Sequence, residues 1–260
     1  MKNYLSNFIV FIFTIILGTS AYADGHENPL NEAFNLQVQL CKLKDGATLA
    51  QYNAMNKDYI KWSKENDVEV TFVRQTPLFS HADFNQSPGY DFIELLASSF
   101  EGSGKGWDKW LGTKNGQKLN EKWNELATCH VKMARGRMIA GDTEALDNTN
   151  ERVVTWNWCS INDGVEVADV ISRHAELAKS FEEDSQGAIG WFGLIPTIGG
   201  ANTPGDFAHV VVYPDFESAM KRQKSLADGG WKGYRDYQEN YASCSGESLL
   251  VEEILHRPGQ

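Results

Sequence analysis

Two short stretches decide the fold: QLCKLKDG at residues 39–46 and NWCSINDG at residues 157–164. Each places a cysteine four residues before an Asp-Gly pair, and the two cysteines, Cys41 and Cys159, lie 118 residues apart. A second pair of cysteines, Cys129 and Cys244, lies 115 residues apart. Further matches follow in the same order, PGYDF (88–92) with PGDF (204–207) and ATC (127–129) with ASC (242–244). Ordered matches at nearly equal spacings indicate a tandem duplication.

Each copy contains the pattern of a strand, a helix, two strands, a helical region and a final strand. Alternating apolar residues predict the strands, and stripes with helical spacing predict the helices, the first of which begins with a Thr48–Gln51 capping box. The predicted strands are residues 36–43, 68–75, 92–98 and 130–139 in the first copy, and 153–161, 188–194, 207–213 and 247–255 in the second. The second helical regions are 106–127 and 214–242, and proline-bearing loops are predicted at 76–89 and 195–205.

The order βαββαβ is that of the ferredoxin-like unit. Its helices cover one face of the sheet, so the other apolar face needs a partner, which a tandem copy supplies. We therefore predict an α+β fold of two tandem ferredoxin-like units that form an intramolecular α/β barrel. The predicted domains are residues 24–140 and 152–260, joined by an acidic, small-residue linker at 141–151, and the expected state is a monomer containing a pseudo-dimer.

The cysteines are predicted to form two structural disulfides, Cys41–Cys129 and Cys159–Cys244. In this topology the first and last strands are antiparallel neighbours, and only this pairing is short-range in both copies. A redox pair is disfavoured because no CxxC occurs, and a thiol or zinc site at Cys129 and His130 lacks the close-spaced ligand pairs that metal clusters show.

The first 23 residues have the features of a secretory signal: Lys2, an apolar run at 8–17 and the small-residue site AYA at 21–23. We expect cleavage after Ala23 and a soluble periplasmic or secreted protein; the alternative is an uncleaved anchor. No later segment approaches the length of a membrane span, so no membrane association is expected after cleavage. The formal charge of −11, without a basic cluster, argues against a nucleic-acid partner.

The element order and the duplication resemble the dimeric α/β-barrel superfamily, which includes antibiotic-biosynthesis-monooxygenase-like and haem-degrading proteins. The resemblance covers nearly the whole mature chain and has no signature motif. It implies a small-molecule cleft between the sheet and the helices of a half. Haem degradation is disfavoured, because both second helical regions lack the histidine that the haem-degrading branch carries there.

Strand alternation gives a first assignment of faces. The uniformly apolar positions of the strands, with Trp156 and Trp158 among them, are expected to face the helices. The alternate positions are expected to face the barrel interior, and their polar members are Gln37, Gln39, Glu94, Asn157 and His209. Glu94 and His209 occupy equivalent positions, and the plainest interpretation is a buried pair that holds the halves together.

Asn56 and His174 are also equivalent, each inside an apolar helical stripe. His174 beside Trp156 and Trp158 would make an aromatic cleft with one titratable group, which is the usual composition of a ligand site. The predicted substrate-binding set is therefore Asn56, Trp156, Trp158 and His174, and His174 could act as a general base. The alternative is a histidine that simply packs against tryptophans.

Three functional hypotheses follow. The first is an exported protein that binds a small apolar or aromatic molecule in this cleft. The second is a cofactor-independent, monooxygenase-like enzyme with His174 as its base, and the third is a non-catalytic protein that acts through its surface. No cofactor or metal motif is found: EGSGKGW at 101–107 imitates a phosphate-binding loop but lacks its Ser/Thr, and is predicted to be a flexible turn.

Overall fold

The structure, a computed structural model, describes residues 32–80 and 89–259. The predicted signal peptide and part of the 76–89 loop lie outside these ranges. The first half contains β1 (Ala33–Leu43), α1 (Leu49–Glu65), β2 (Thr71–Phe79), β3 (Phe92–Ser98), α2 (Phe100–Gly112), α3 (Lys114–Leu126) and β4 (Ala127–Gly141). After α4 (Thr143–Asn148), the second half contains β5 (Glu151–Ile161), α5 (Val167–Glu183), β6 (Gly190–Pro196), β7 (Phe207–Tyr213), α6 (Phe216–Ser225), α7 (Trp231–Asn240) and β8 (Ala242–His256).

The strands close into one barrel in the order β1-β3-β2-β8-β5-β7-β6-β4. Within each half the order is that of a ferredoxin-like sheet, 4-1-3-2 and 8-5-7-6. The halves join edge to edge, since β2 pairs with β8 and β4 pairs with β6, both antiparallel. Each half thereby covers the exposed edges of the other, which removes the unpaired backbone groups that edge strands carry. The predicted fold class is confirmed.

The barrel interior is mainly apolar, and its side chains come from both halves. One packed cluster joins alternate positions of the strands: Leu36, Val73, Ile93, Leu95, Ala134, Val154, Trp156, Leu194, Ala208, Val210, Val212 and Leu250. The face assignment made from the sequence was therefore wrong. The apolar set points inward, and Gln37, Gln39, Glu94, Asn157 and His209 contact the helices outside. A narrow closed interior offers few polar partners, whereas helix side chains can satisfy polar groups on the outer face.

One polar network crosses the interior at the seam between β2 and β8. The indole nitrogen of Trp156 donates to Gln75 at 2.8 Å, and the Gln75 amide donates to Glu252 at 2.6 Å. Glu252 also pairs with Arg152 at 2.8 Å. Because Gln75 belongs to the first half and the other three residues to the second, the network fixes how the halves meet.

The two predicted disulfides are confirmed. Cys41 lies directly opposite Cys129 across β1 and β4, and Cys159 lies opposite Cys244 across β5 and β8. They close loops with sequence separations of 88 and 85 residues, for which the chain-entropy model gives a stabilisation of about 4–5 kcal/mol each. Two structural disulfides are consistent with a location outside the cytoplasm. Among the residues that the structure describes, none of the helices has the length and apolarity needed to cross a membrane.

Several local boundaries differ from the sequence predictions, and the predicted linker at 141–151 contains α4. The predicted turn at 101–107 lies inside α2, whose first turn is capped by the Ser99 hydroxyl. Strands β2 and β6 extend to Phe79 and Pro196, so both loops begin later than expected. The third strands match their predicted bounds, and the Thr48–Gln51 capping box of α1 is present.

Candidate functional site

The first half contains a cavity of about 80 Å³ between the outer face of its sheet and helices α1, α2 and α3. The surrounding empty space, including solvent at the mouth, reaches about 740 Å³. The polar groups of the lining are Gln37, Gln39, Asn56, Glu69, Glu94, Ser98 and Ser103. Its aromatic groups are Tyr59, Trp62, Phe72, Trp107, Trp110 and Trp123. Aromatic walls with a few converging polar groups are the common composition of ligand sites.

Glu94 is the centre of the polar wall and is 2% exposed. One carboxylate oxygen accepts from Asn56 at 2.6 Å and from Arg74 at 2.9 Å, and the other accepts from the Tyr52 hydroxyl at 2.8 Å. Trp123 donates to the same hydroxyl at 2.8 Å. Burial raises the pKa of Glu94, whereas Arg74 and the hydrogen bonds oppose that rise. The buried Arg74–Glu94 pair leaves this wall without net charge.

Two amides of β1 face the cavity from alternate positions of the strand. The side-chain oxygen of Gln37 accepts from the Trp107 indole at 2.8 Å, which leaves the Gln37 NH₂ group available. Gln39 is buried and makes no side-chain hydrogen bond within the described part of the chain. An amide both donates and accepts, so Gln39 can serve either kind of ligand group.

The apolar wall is a cluster of rings on α1 and α2. Trp62 and Trp110 meet edge to face with centroids 5.1 Å apart, and Tyr59 contacts both rings. Trp62 is 4% exposed, and its indole nitrogen has no partner among the described residues. A buried donor without a partner costs about 1–3 kcal/mol, and this cost is part of the packing of the aromatic wall.

The cavity exists because small residues surround it. Gly102 and Gly106 stand one turn apart on the face of α2 that lines it, and they contribute no side chain. Ser98 ends β3 at the rim, whereas the equivalent last residue of β7 is Tyr213. The ring of Tyr213 is 1% exposed. The same sheet position therefore leaves space in one half and fills it in the other.

The second half carries a chain of hydrogen bonds at the position equivalent to Glu94. Nε2 of His174 lies 2.7 Å from the Tyr237 hydroxyl, and Nε2 of His209 lies 3.3 Å from the same atom. The Trp191 indole donates to Nδ1 of His209 at 2.9 Å. Rings of Phe207 and Trp191 pack against His174.

Burial holds both imidazoles neutral at neutral pH. Desolvation lowers the pKa of His174 to about 4, and desolvation together with the nearby His174 lowers the pKa of His209 to about 3. An indole nitrogen can only donate, so Nδ1 of His209 accepts this hydrogen bond. The single N–H proton of the neutral His209 imidazole therefore resides on Nε2. That Nε2 is then not free to bind a metal, although two histidines and a tyrosine converge. Within residues 32–80 and 89–259, no three His, Cys, Asp or Glu side chains are placed to hold a metal ion.

The structure does not assemble the predicted cleft of Trp156, Trp158 and His174. Both tryptophans pack in the barrel interior, because the β5 positions that carry them point inward. His174 lies outside the barrel, among Trp191, Phe207 and Tyr237. Asn56, by contrast, does line the first-half cavity beside Gln37, Gln39 and Glu94.

The remaining predicted polar residue, Asn157, lies in the middle of β5 and is the cross-strand neighbour of His209. Its amide donates to Tyr234 at 3.4 Å and accepts from the backbone of Gly246 at 3.0 Å. Glu94 and His209 do not pair with each other, since each bonds to helices of its own half.

A second cavity, of about 320 Å³, lies between α6 and the strands of the second half. It is larger, but its polar groups already have partners: Gln223 donates to Glu247 at 3.0 Å, and Thr155 bonds to Tyr213. Phe79, which lines its mouth, is 57% exposed. We regard this cavity as a surface depression and the smaller one as the candidate site.

Sequence reasoning missed Tyr52, Arg74, Trp191 and Tyr237. Arg74 had a signal, because a charged residue in the middle of an apolar strand needs a buried partner. Tyr52 and Tyr237 follow the helical spacing of apolar stripes, a pattern that by itself indicates packing. Their hydroxyls gave no pattern in the sequence, since the partners are 42 and 63 residues away.

No protein-family model matches the chain. No curated protein matches it in sequence. Solved structures with a similar fold include a proposed monooxygenase of Lactobacillus acidophilus, with 12% identity, a TM-score of 0.54 and coverage of 88% of this chain and 98% of that one. A proposed monooxygenase of Fusobacterium nucleatum has 11% identity and a TM-score of 0.50 over 87% and 94% of the two chains. A proposed chlorite dismutase has 9% identity and a TM-score of 0.50 over 86% and 95%. At such identities the similarity concerns the fold alone, and it confirms the predicted resemblance in fold to the dimeric α/β barrels.

Proposed function

We propose that this is an exported protein that binds a small uncharged molecule, with an apolar or aromatic part, in the first-half cavity. The observation that carries the proposal is the cavity itself, in which an aromatic wall faces a polar wall with free amide groups. The predicted leader at 1–23 and the two disulfides support export to the periplasm or the medium.

The charges of the site favour an uncharged ligand. Glu94 is neutralised by Arg74 at 2.9 Å, so neither is free to pair with a ligand ion. Glu69 is exposed and lines the site, where it repels anions. A buried charge without a partner is costly, whereas a neutral carbonyl, hydroxyl or amide can bond to Gln37 and Gln39.

The volume limits how much of the ligand is enclosed. A cavity of about 150 Å³ takes up benzene, and the present cavity measures about 80 Å³. The polar head of the ligand therefore enters, and its larger apolar part rests against the indoles near the mouth. Asn56 would contact this head through its free carbonyl oxygen, since its NH₂ group bonds to Glu94.

Substituting Ser98→Tyr tests the proposal, because it places at the rim the residue that fills the equivalent position of the second half. Ser160→Tyr adds the same side chain at an exposed position of β5 and is the matched control. We expect a small molecule to co-purify with the wild type and with Ser160→Tyr, and to be absent from Ser98→Tyr, as measured by mass spectrometry of solvent extracts.

A direct titration covers the case in which the ligand is lost during purification. Benzamide is expected to change the tryptophan fluorescence of the wild type and of Ser160→Tyr but not of Ser98→Tyr, and benzoate to bind more weakly than benzamide. Equal occupancy of Ser98→Tyr would refute the site. A wild type that yields no ligand and does not respond to benzamide would refute the function and favour a protein that acts through its surface.

The enzymatic alternative, a cofactor-independent monooxygenase-like reaction with His174 as its base, has less support. His174 is neutral at neutral pH, as a base must be, but it lines neither of the two cavities described above. A substrate would have to displace the Tyr237 hydroxyl, which already occupies Nε2 of His174.

A further inference from the structure

The chain of Trp191, His209, Tyr237 and His174 is a directed path for a proton. His209 accepts from Trp191 at Nδ1, so its Nε2 donates to the Tyr237 oxygen at 3.3 Å. The proton of Tyr237 is then directed to Nε2 of His174, which is 2.7 Å away. A phenol that donates to a neutral imidazole at this distance has a proton acceptor already in place.

We propose that Tyr237 is a proton-coupled redox site: it gives one electron to a one-electron oxidant outside the protein while its proton moves to Nε2 of His174. The O–H bond of Tyr237 breaks and an N–H bond forms on His174. The products are a neutral tyrosyl radical, an imidazolium ion and the oxidant reduced by one electron. This inference is independent of ligand binding in the first half.

The surroundings favour the coupled step over stepwise loss of the proton. Burial raises the pKa of Tyr237, so the phenolate is not present beforehand. An oxidised phenol is a much stronger acid than an imidazolium, so the transfer is favourable even though the pKa of His174 is lowered to about 4. His209 adds a donor to the phenol oxygen that stays in place when the proton leaves.

An electron path to the surface is also present. Tyr237 is 6% exposed, and the half-buried Tyr241 stacks on it with centroids 5.9 Å apart. The guanidinium of Arg173 lies over the outer ring, 5.6 Å from its centroid. An oxidant at this surface is separated from Tyr237 by one aromatic ring.

The buried tyrosine of the first half is a poorer candidate. Tyr52 donates to Glu94 at 2.8 Å, but that carboxylate is the counter-charge of Arg74. Protonating Glu94 would leave a buried guanidinium without its partner, which is strongly unfavourable. At His174 the transfer disrupts none of the ion pairs among the described residues.

The test uses the full mature protein and a photogenerated ruthenium(III) polypyridyl complex as the oxidant, with the tyrosyl radical followed by EPR. Tyr237→Phe keeps the ring and is expected to lose most of the signal. His174→Gln keeps a hydrogen-bond acceptor but not a base, and is expected to slow radical formation about 100-fold. Tyr234→Phe removes a tyrosine of the same helix, one whose hydroxyl accepts from Asn157, and should leave the signal unchanged.

Near-ultraviolet circular dichroism shows whether each variant is folded. Oxidation of the wild type should also be slower in D₂O, because the proton moves in the same step. An undiminished signal in folded Tyr237→Phe would overturn the assignment of the radical to this residue. A wild-type rate in folded His174→Gln, which a purely structural role would give, would overturn the coupling.

Discussion

The two halves place different titratable groups at equivalent positions of the same sheet. Glu94 and His209 occupy equivalent positions of the third strands, but the first bonds to Arg74 and the second is neutral beside Gly193, each being paired here with its cross-strand neighbour. The barrel closes through the inward-facing apolar side chains that both halves contribute. The outward faces are not needed for closure, and so the two copies could diverge there.

The difference extends to the space beside the strands. Where the first half has Phe72 and Ser98, the second has Trp191 and Tyr213, at the same positions relative to the third strands. The ring of Trp191 packs against His174, where the first half has a cavity beside Glu94. The copies therefore differ in where space remains: beside the buried carboxylate in the first half, and beside α6 and Tyr213 in the second.

The largest expected effect comes from breaking the ion pair. Arg74→Leu leaves Glu94 buried without its counter-charge, and removal of one partner of a buried pair costs about 3–5 kcal/mol. We expect the free energy of unfolding to fall by about 4 kcal/mol, measured by urea denaturation at neutral pH.

The double variant Arg74→Leu with Glu94→Leu is the control for this comparison. It removes both charges and approaches the uncharged state of the second half, so it should be more stable than Arg74→Leu alone. If the single substitution costs less than about 1 kcal/mol, as surface pairs do, the pair is not the buried anchor of the first half.

The second half should respond to acid through its histidines. The pKa of His174 is lowered to about 4 in the folded state. As the pH falls, the unfolded chain therefore binds a proton at this residue before the folded protein does. The contribution of the neutral imidazole to the free energy of unfolding is fully present above the unfolded pKa of about 6.5. It is lost as the pH falls toward 4. The variant His174→Asn introduces at position 174 the side chain that the first half carries at the equivalent position, Asn56. It therefore removes the titrating group.

We therefore expect the wild type to lose about 2 kcal/mol more than His174→Asn between pH 7 and pH 4, after allowance for the partial exposure of the ring. The measurement is the urea midpoint as a function of pH. His130→Asn, at an exposed position of β4, is the control and should keep the wild-type slope. Equal slopes for the wild type and His174→Asn would show that the ring is solvated in the folded state.

The repeat, the element order and the disulfides could be predicted because each rests on local patterns or on spacing. The orientation of the strands could not. Both faces of these sheets are covered, one by helices and one by the closed interior, so alternation shows two faces without saying which is which. The uniformly apolar positions are the ones that face the interior, because a narrow interior tolerates few polar groups. The helices on the other face can bond to Glu94 and His209.

The sequence predicted a cleft between sheet and helices in the second half, whereas the cavity that we propose as the site lies between sheet and helices in the first half. His174 drew attention because it titrates, and Trp156 and Trp158 because they are large. The features that distinguish the actual cavity are small or absent side chains, Ser98, Gly102 and Gly106. Whether a cavity forms depends on the side chains of several neighbouring helices and strands together, so no single stretch of sequence predicts it.

The smallest expected effect decides whether the halves are energetically separate. Gly104 in α2 and Gly233 in α7 are exposed helical glycines, and a Cβ added at either would meet nothing within 4 Å. Replacing a helical glycine by alanine stabilises by about 0.5–1 kcal/mol, mainly by restricting the unfolded chain. Because the sheets share hydrogen bonds at both seams, we expect one unfolding transition. Gly104→Ala and Gly233→Ala should each raise its single urea midpoint, and their gains should add in the double variant. Two transitions, each shifted by only one substitution, would show instead that the barrel is two domains that unfold independently.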